Sequence, residues 1–239
     1  MRSLLLVQPD RESITDTALA ADADCLIFDF SAVAAESSAY EIAHTAFTAA
    51  RRWPIQPSLY ARIPGLHDSA ADGCLDRVMA LLPDGIVLAA CNGADIEHLS
   101  IKLAVREAEL GIEHGVTKIL ATVPAAAPAI FGLNSLANAS VRLTGLIFAQ
   151  QDLEQALGIA SKTMPDDAAS RSPIVTARHL MLFAAKAAKL PAFDAPSPAS
   201  IYATKLRDIC AASRREGFSG KVALSENQIA IINAAYASS

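Results

Sequence analysis

The chain has 239 residues, a formal net charge of -5 and a pI of about 5.5. That balance, with no lysine/arginine run longer than two (Arg51-Arg52, Arg214-Arg215), argues against nucleic acid as the main partner. An apolar fraction of 52% with 19% charged residues describes a globular chain with a sizeable core.

In chain order, SLLLVQP is short, apolar and stopped by proline, which predicts a buried strand. CLIFDF (Cys25 to Phe30) predicts a second, with Asp29 near its end, and SLYARIP (Ser58 to Pro64) a third. DGIVLAA (Asp84 to Ala90), TKILATV (Thr117 to Val123) and TGLIFAQ (Thr144 to Gln150) follow; PAFDAP (Pro191 to Pro196) is weaker, and GKVALS (Gly220 to Ser225) is the eighth. Helical patterns lie between them, at Ser13 to Ala21, Tyr40 to Arg52, Leu75 to Leu82, Ala94 to Glu113, Ala126 to Ala137, Asp152 to Leu157, Ser172 to Lys189, Ser200 to Glu216 and Glu226 to Ala235. In the clearest of them, Ile96, Leu99, Leu103 and Leu110 share one face, with Glu97, Arg106, Glu107 and Glu109 mostly on others. Ser225 and Asp152 are expected N-caps.

Doubly buried strands alternating with helices predict an α/β fold, a parallel (β/α)8 TIM barrel forming one domain over 1–239. The runner-up is a doubly wound open sheet, against which stands the lack of GxGxxG after the first strand. In such a barrel functional residues gather at the C-terminal strand ends. The candidates are Asp29, Ser31, Arg62, Asn92, Thr122, Gln150, Gln151, Asp152, Asp194, Ser225 and Glu226. The polar segment Ser161 to Pro173 belongs to the same rim, as a lid or as a surface loop. No secretory signal or membrane span is expected, and the cytoplasm is the expected compartment. Cys25, Cys74, Cys91 and Cys210 lack CxxC spacing, so neither a disulfide framework nor a zinc site is expected. GFSGK (Gly217 to Lys221) lacks P-loop spacing and precedes a strand, no GxSxG is present, and the five histidines have no ligand spacing.

Six segments in order resemble the citrate lyase beta subunit-like group of the HpcH/HpaI aldolase superfamily. RSLLLVQPDR is similar to RSxLFVPGDR, ADADCLIFDF to GADxxIxDLED, and RIPGL to RVNGL. PDGIVLAACNGADIEHL is similar to PDGIxLPKVESxxDV, FAQQDLEQALG to FGAEDLAADLG, and GFSGKVALSENQIAIINAAY to GFDGKxxIHPxQIxxVNxxF. The resemblance implies a parallel barrel, commonly trimeric, that holds magnesium and breaks or forms carbon-carbon bonds in small oxo or hydroxy acids or their CoA thioesters.

Carried over residue by residue, the resemblance makes Asp152 a metal carboxylate and Arg62 the anchor of the substrate carboxylate. Arg11 is kept for substrate contact, and Asp29 is the surviving acid of DLED, expected to support Arg62 or a metal-bound water. The IET motif aligns with LAT, which puts Ala121 at the second metal carboxylate. The lysine of LPK falls on Ala90, the glutamate two residues on falls on Asn92, and the HP of the tail falls on Ser225-Glu226. Two readings therefore stand. One is a carbon-carbon lyase with magnesium on Asp152. The other is a non-catalytic barrel that binds a carboxylate or a partner subunit, with Asp152 a helix cap.

Overall fold

The structure is a computed structural model that describes residues 1–7, 22–31, 37–53, 57–90, 92–159 and 173–237. Its eight strands are β1 Ser3–Val7, β2 Cys25–Asp29, β3 Ser58–Arg62, β4 Gly85–Ala89, β5 Lys118–Val123, β6 Leu143–Phe148, β7 Ala192–Asp194 and β8 Gly220–Ala223. Each pairs in parallel with the next, and β1 pairs with β8 through Ser3 and Lys221, so the sheet closes. The predicted (β/α)8 barrel is the observed architecture, and the open sheet is excluded. The described α-helices are α1 Ser38–Arg51, α2 Ala71–Met79, α3 Gly93–Leu110, α4 Ala129–Gly132, α5 Gln150–Ala156, α6 Pro173–Ala187, α7 Ala203–Glu216 and α8 Ile229–Ala235. The helix expected over 13–21 lies outside the described residues.

Strand alternation divides the core in two. Leu4, Cys25, Ile27, Tyr60, Val87, Leu120, Ile147, Phe193 and Val222 fill the barrel interior. Their neighbours, such as Leu26, Phe28, Ile86, Leu88, Ala121 and Leu146, pack in the second layer, with helix residues such as Phe47, Leu75, Leu99 and Met181. Successive side chains point to opposite faces of a strand, so adjacent residues enter different layers. Tyr60 crosses the interior so closely that a Cβ at Gly85 would lie 2.2 Å from its ring. Glycine at that position is what lets the tyrosine fill the barrel.

Helix α3 departs from the predicted face. Glu107 is buried with Ile96, Leu99 and Leu103, while Leu110 is 43% exposed. The 99, 103, 107 stripe continues the i, i+4 spacing, and the carboxylate at its end is fully partnered. Glu107 receives Arg142 Nη1 at 2.6 Å and Nη2 at 2.7 Å, with the backbone N–H groups of Gly115 at 2.8 Å and Thr117 at 2.9 Å. Burial on its own would raise this carboxyl. The Arg142 fork and the two amides outweigh it and hold the group at about 2.

Candidate active site

The C-terminal strand ends surround a cavity of about 190 Å³. Its floor is the last inward-facing layer: Leu6, Ile27, Val87, Ile147 and Val222. The rim above carries Asp29, Arg62, Thr122, Gln150, Gln151, Asp152 and Pro196. Position explains most of this set. Asp29 and Arg62 are the last residues of β2 and β3 and stand directly opposite each other in register. Asp152 lies in the first turn of α5, just beyond β6.

Arg62 joins two carboxylates. Its Nη1 donates to Asp29 Oδ2 at 3.3 Å, and its Nη2 lies 3.7 Å from Asp152 Oδ2. Asp29 is itself pinned, since its Oδ1 accepts the Ser31 backbone N–H at 2.9 Å and the Ser31 hydroxyl at 2.6 Å. Asp152 has no comparable hold, and its side chain is 35% exposed against 16% for Asp29. The sequence-predicted group Asp29, Ser31, Arg62 and Asp152 is thus one constellation. Arg11 lies outside the described residues, as do 161–172 of the predicted rim loop.

Several expectations change. Asp152 does not cap α5: the N-cap is Ala149, no side chain caps it, and Asp152 sits two residues inside. Its position in the first turn is still favourable for a negative charge. Ser225 precedes the 3-10 turn Glu226–Gln228 without a capping hydrogen bond. Asn92 is a structural residue; its side chain accepts the N–H groups of Ala94 and Asp95, closing a capping box at the start of α3. Gln150 donates to Glu154 Oε1 at 2.8 Å. Asp194 turns away from the mouth into the second layer, where it meets Arg178 at 2.9 Å, Ser213 at 2.5 Å and Lys221 at 3.4 Å. Burial pushes its pKa up, but Lys221, Arg178 and Ser213 together bring it below the ordinary range.

The largest correction concerns β5. Ala121 was expected where a metal carboxylate would stand, yet it is completely buried in the second layer. Period-two alternation sends Thr122 into the mouth instead, beside Ile147. The Thr122 hydroxyl donates to Leu88 O at 3.3 Å. The residue that faces the site from β5 is therefore neutral as well.

Sequence reasoning also passed over Gln228. This buried amide accepts the Leu224 N–H at 2.9 Å and donates to Pro198 O at 2.9 Å and Ser197 O at 3.4 Å. It ties the loops after β7 and β8 together, one of which carries the Pro196 wall. Its signal was a polar residue among apolar ones in ENQIAII.

A family model described as HpcH/HpaI aldolase/citrate lyase matches residues 2–225. The chain belongs to this family. A comparison with curated proteins returns no match. Among solved structures, protein CitE of Mycobacterium tuberculosis with magnesium and acetoacetate is 24% identical, with a TM-score of 0.77, covering 100% of this chain and 91% of that one. RipC of Yersinia pestis is 22% identical, with a TM-score of 0.76 and coverage of 100% and 96%. The citrate lyase beta subunit of M. tuberculosis, complexed with oxaloacetate and magnesium, is 24% identical, with a TM-score of 0.73 and coverage of 99% and 96%. At such identities the likeness carries the fold.

Magnesium, which the family implies, does not fit this donor set. A magnesium site built on hard oxygens needs one or two carboxylates free to face the ion, with water and substrate completing an octahedron. Among the described residues that line the mouth, Asp29 is committed to Ser31 and Arg62, which leaves Asp152 as a single loosely held carboxylate 3.7 Å from the same guanidinium, and β5 offers a threonine engaged with a carbonyl. No group of three or more His, Cys, Asp or Glu side chains among the described residues is placed to hold a metal ion.

Proposed function

We propose that the chain is a citrate lyase beta subunit-like protein that takes a small oxo or hydroxy carboxylic acid, free or as its CoA thioester, at the barrel mouth. The observation that carries this reading is Arg62. It is the only cation among the described residues that line the cavity, and it stands at the edge of an apolar floor. A planar guanidinium presents paired N–H donors that match a carboxylate, while the apolar floor suits a short carbon skeleton.

In this reading Arg62 binds and orients the acid and Asp29, locked by Ser31, fixes the guanidinium. The proposed reaction is cleavage of a carbon-carbon bond: the hydroxyl-bearing carbon gives up its O–H proton and becomes a carbonyl, the electron pair of the broken bond passes to the carbon beside the other fragment's oxo or thioester group as an enolate, and a proton returns to that carbon. Positioning and a fixed positive charge near the developing anion are what these side chains contribute. One domain over 1–239, cytoplasmic and assembled as a homo-oligomer, a trimer in the family's manner, completes the proposal. Among the described residues no helix is long and apolar enough to cross a membrane.

A second reading has its own observation. With Thr122 facing the mouth from β5, the chain is in this second reading a barrel that keeps the acid-binding arginine and has lost the lyase chemistry. The two part on one assay. Incubation with oxo and hydroxy acids and their CoA thioesters, followed by mass spectrometry of products, should show cleavage that Arg62→Met abolishes. Binding that is lost in Arg62→Met with no product from any substrate selects the second reading. No binding at all rejects both.

A further inference from the structure

The two carboxylates on Arg62 are held very differently, and the difference assigns Asp152 a role of its own. Asp29 is fixed from behind by both Ser31 groups and keeps its 3.3 Å contact with Nη1. Asp152 approaches Nη2 only to 3.7 Å, beyond hydrogen-bond range, and is the more exposed of the two. The guanidinium therefore has one firm partner and one loose one, with most of its donor capacity unspent.

We propose that Asp152 is an internal counter-ion that competes with the ligand for Arg62, and that the mouth takes its acid without a divalent metal ion. This rests on the carboxylate reading above. A ligand carboxylate entering the cavity makes a paired contact with Arg62 where Asp152 offers a single long one, and Asp152 turns outward towards water. Asp29 stays in place, because Ser31 holds it. Among the described residues the mouth bears one positive and two negative side chains, and Asp152 lowers the affinity for an anion twice over, by occupying a fork arm and by its charge.

The sign of this effect is opposite to that of a metal ligand. A carboxylate that holds an essential ion is lost at the cost of binding; one that competes is lost to the benefit of binding. The test uses pyruvate as probe, titrated by calorimetry into the full chain in buffer containing EDTA and again with millimolar magnesium. Asp152→Asn should tighten pyruvate about fivefold or more, and magnesium should leave both dissociation constants unchanged. Asp29→Asn, which frees Arg62 from its firm partner, should weaken binding or leave it level, but not tighten it as Asp152→Asn does. Thermal unfolding of each variant verifies that it is folded, and Asp152→Asn is isosteric at a half-buried position. Arg62-dependent binding that Asp152→Asn weakens, or that appears only with magnesium, overturns the competition while leaving the carboxylate reading intact. No saturable binding to the wild type or to Asp152→Asn overturns both.

Discussion

The two ends of the barrel treat charge in opposite ways. At the N-terminal end cations meet carboxylates in close, multiply bonded pairs. Arg142 forks onto Glu107 with both atoms buried, Arg2 Nη2 reaches Asp24 at 2.8 Å, and Asp84 takes both Arg51 and the Leu59 amide. At the C-terminal end one arginine is shared by two carboxylates at 3.3 and 3.7 Å, beside a cavity. These close pairs hold loops and helices to the strands. The unsaturated arginine is less useful to the fold and is the group with capacity to spare. Close pairing at one face and an incompletely paired arginine at the other fit the general division of such barrels.

Breaking the saturated end should have the largest effect. Arg142→Met leaves the Glu107 carboxylate buried without its cation and should cost about 3–5 kcal/mol, read as a shift in the urea midpoint. Acid should reach the same pair. The folded pKa of Glu107, about 2, lies below its ordinary value of 4.5, so its contribution is complete above about pH 4.5 and is lost as pH falls towards 2. That contribution is about 3 kcal/mol. The stability gap between wild type and Glu107→Gln should narrow over that window when urea midpoints are compared at successive pH values.

A pair of substitutions sharpens the comparison on β5. Ala121→Glu drives a carboxylate into the second layer and should destabilise by roughly 2–4 kcal/mol. Thr122→Glu, one residue on, opens into the mouth, should cost about 1 kcal/mol, and should give manganese binding visible by electron paramagnetic resonance. Equal destabilisation by the two would undo the assignment of their faces. The smallest effect on stability belongs to the unsaturated end. Arg62→Met should change the unfolding free energy by less than about 1 kcal/mol, read from urea unfolding, as expected for a partly exposed pair, while removing pyruvate binding.

Periodicity and punctuation were enough to read the barrel: short apolar runs ending in proline or an acid, separated by helical patterns. Asp29, Arg62 and Asp152 were legible because strand ends place them on one rim. Three features were not. Glu107 looked like a surface residue because a sequence does not show the Arg142 that meets it 35 positions later. Asp194 was placed on the rim because its distance from the strand end was readable but its face was not. Ala121 and Thr122 were confused for the same reason; motif matching fixes a segment, while a shift of one residue changes which layer a side chain enters.

The pairing of β1 with β8, together with the Gln228 contacts, sets when this mouth comes into being. During synthesis the first seven strands leave the ribosome with an open edge, and the wall at Pro196 has nothing behind it. Only after residue 228 has emerged can Gln228 hold the carbonyls of Ser197 and Pro198 and accept the Leu224 amide. A nascent chain that carries Asp29, Arg62 and Asp152 thus has the ingredients of the site long before it has the site. On the proposed reading, pyruvate binding is then a report on completion, acquired late and all at once.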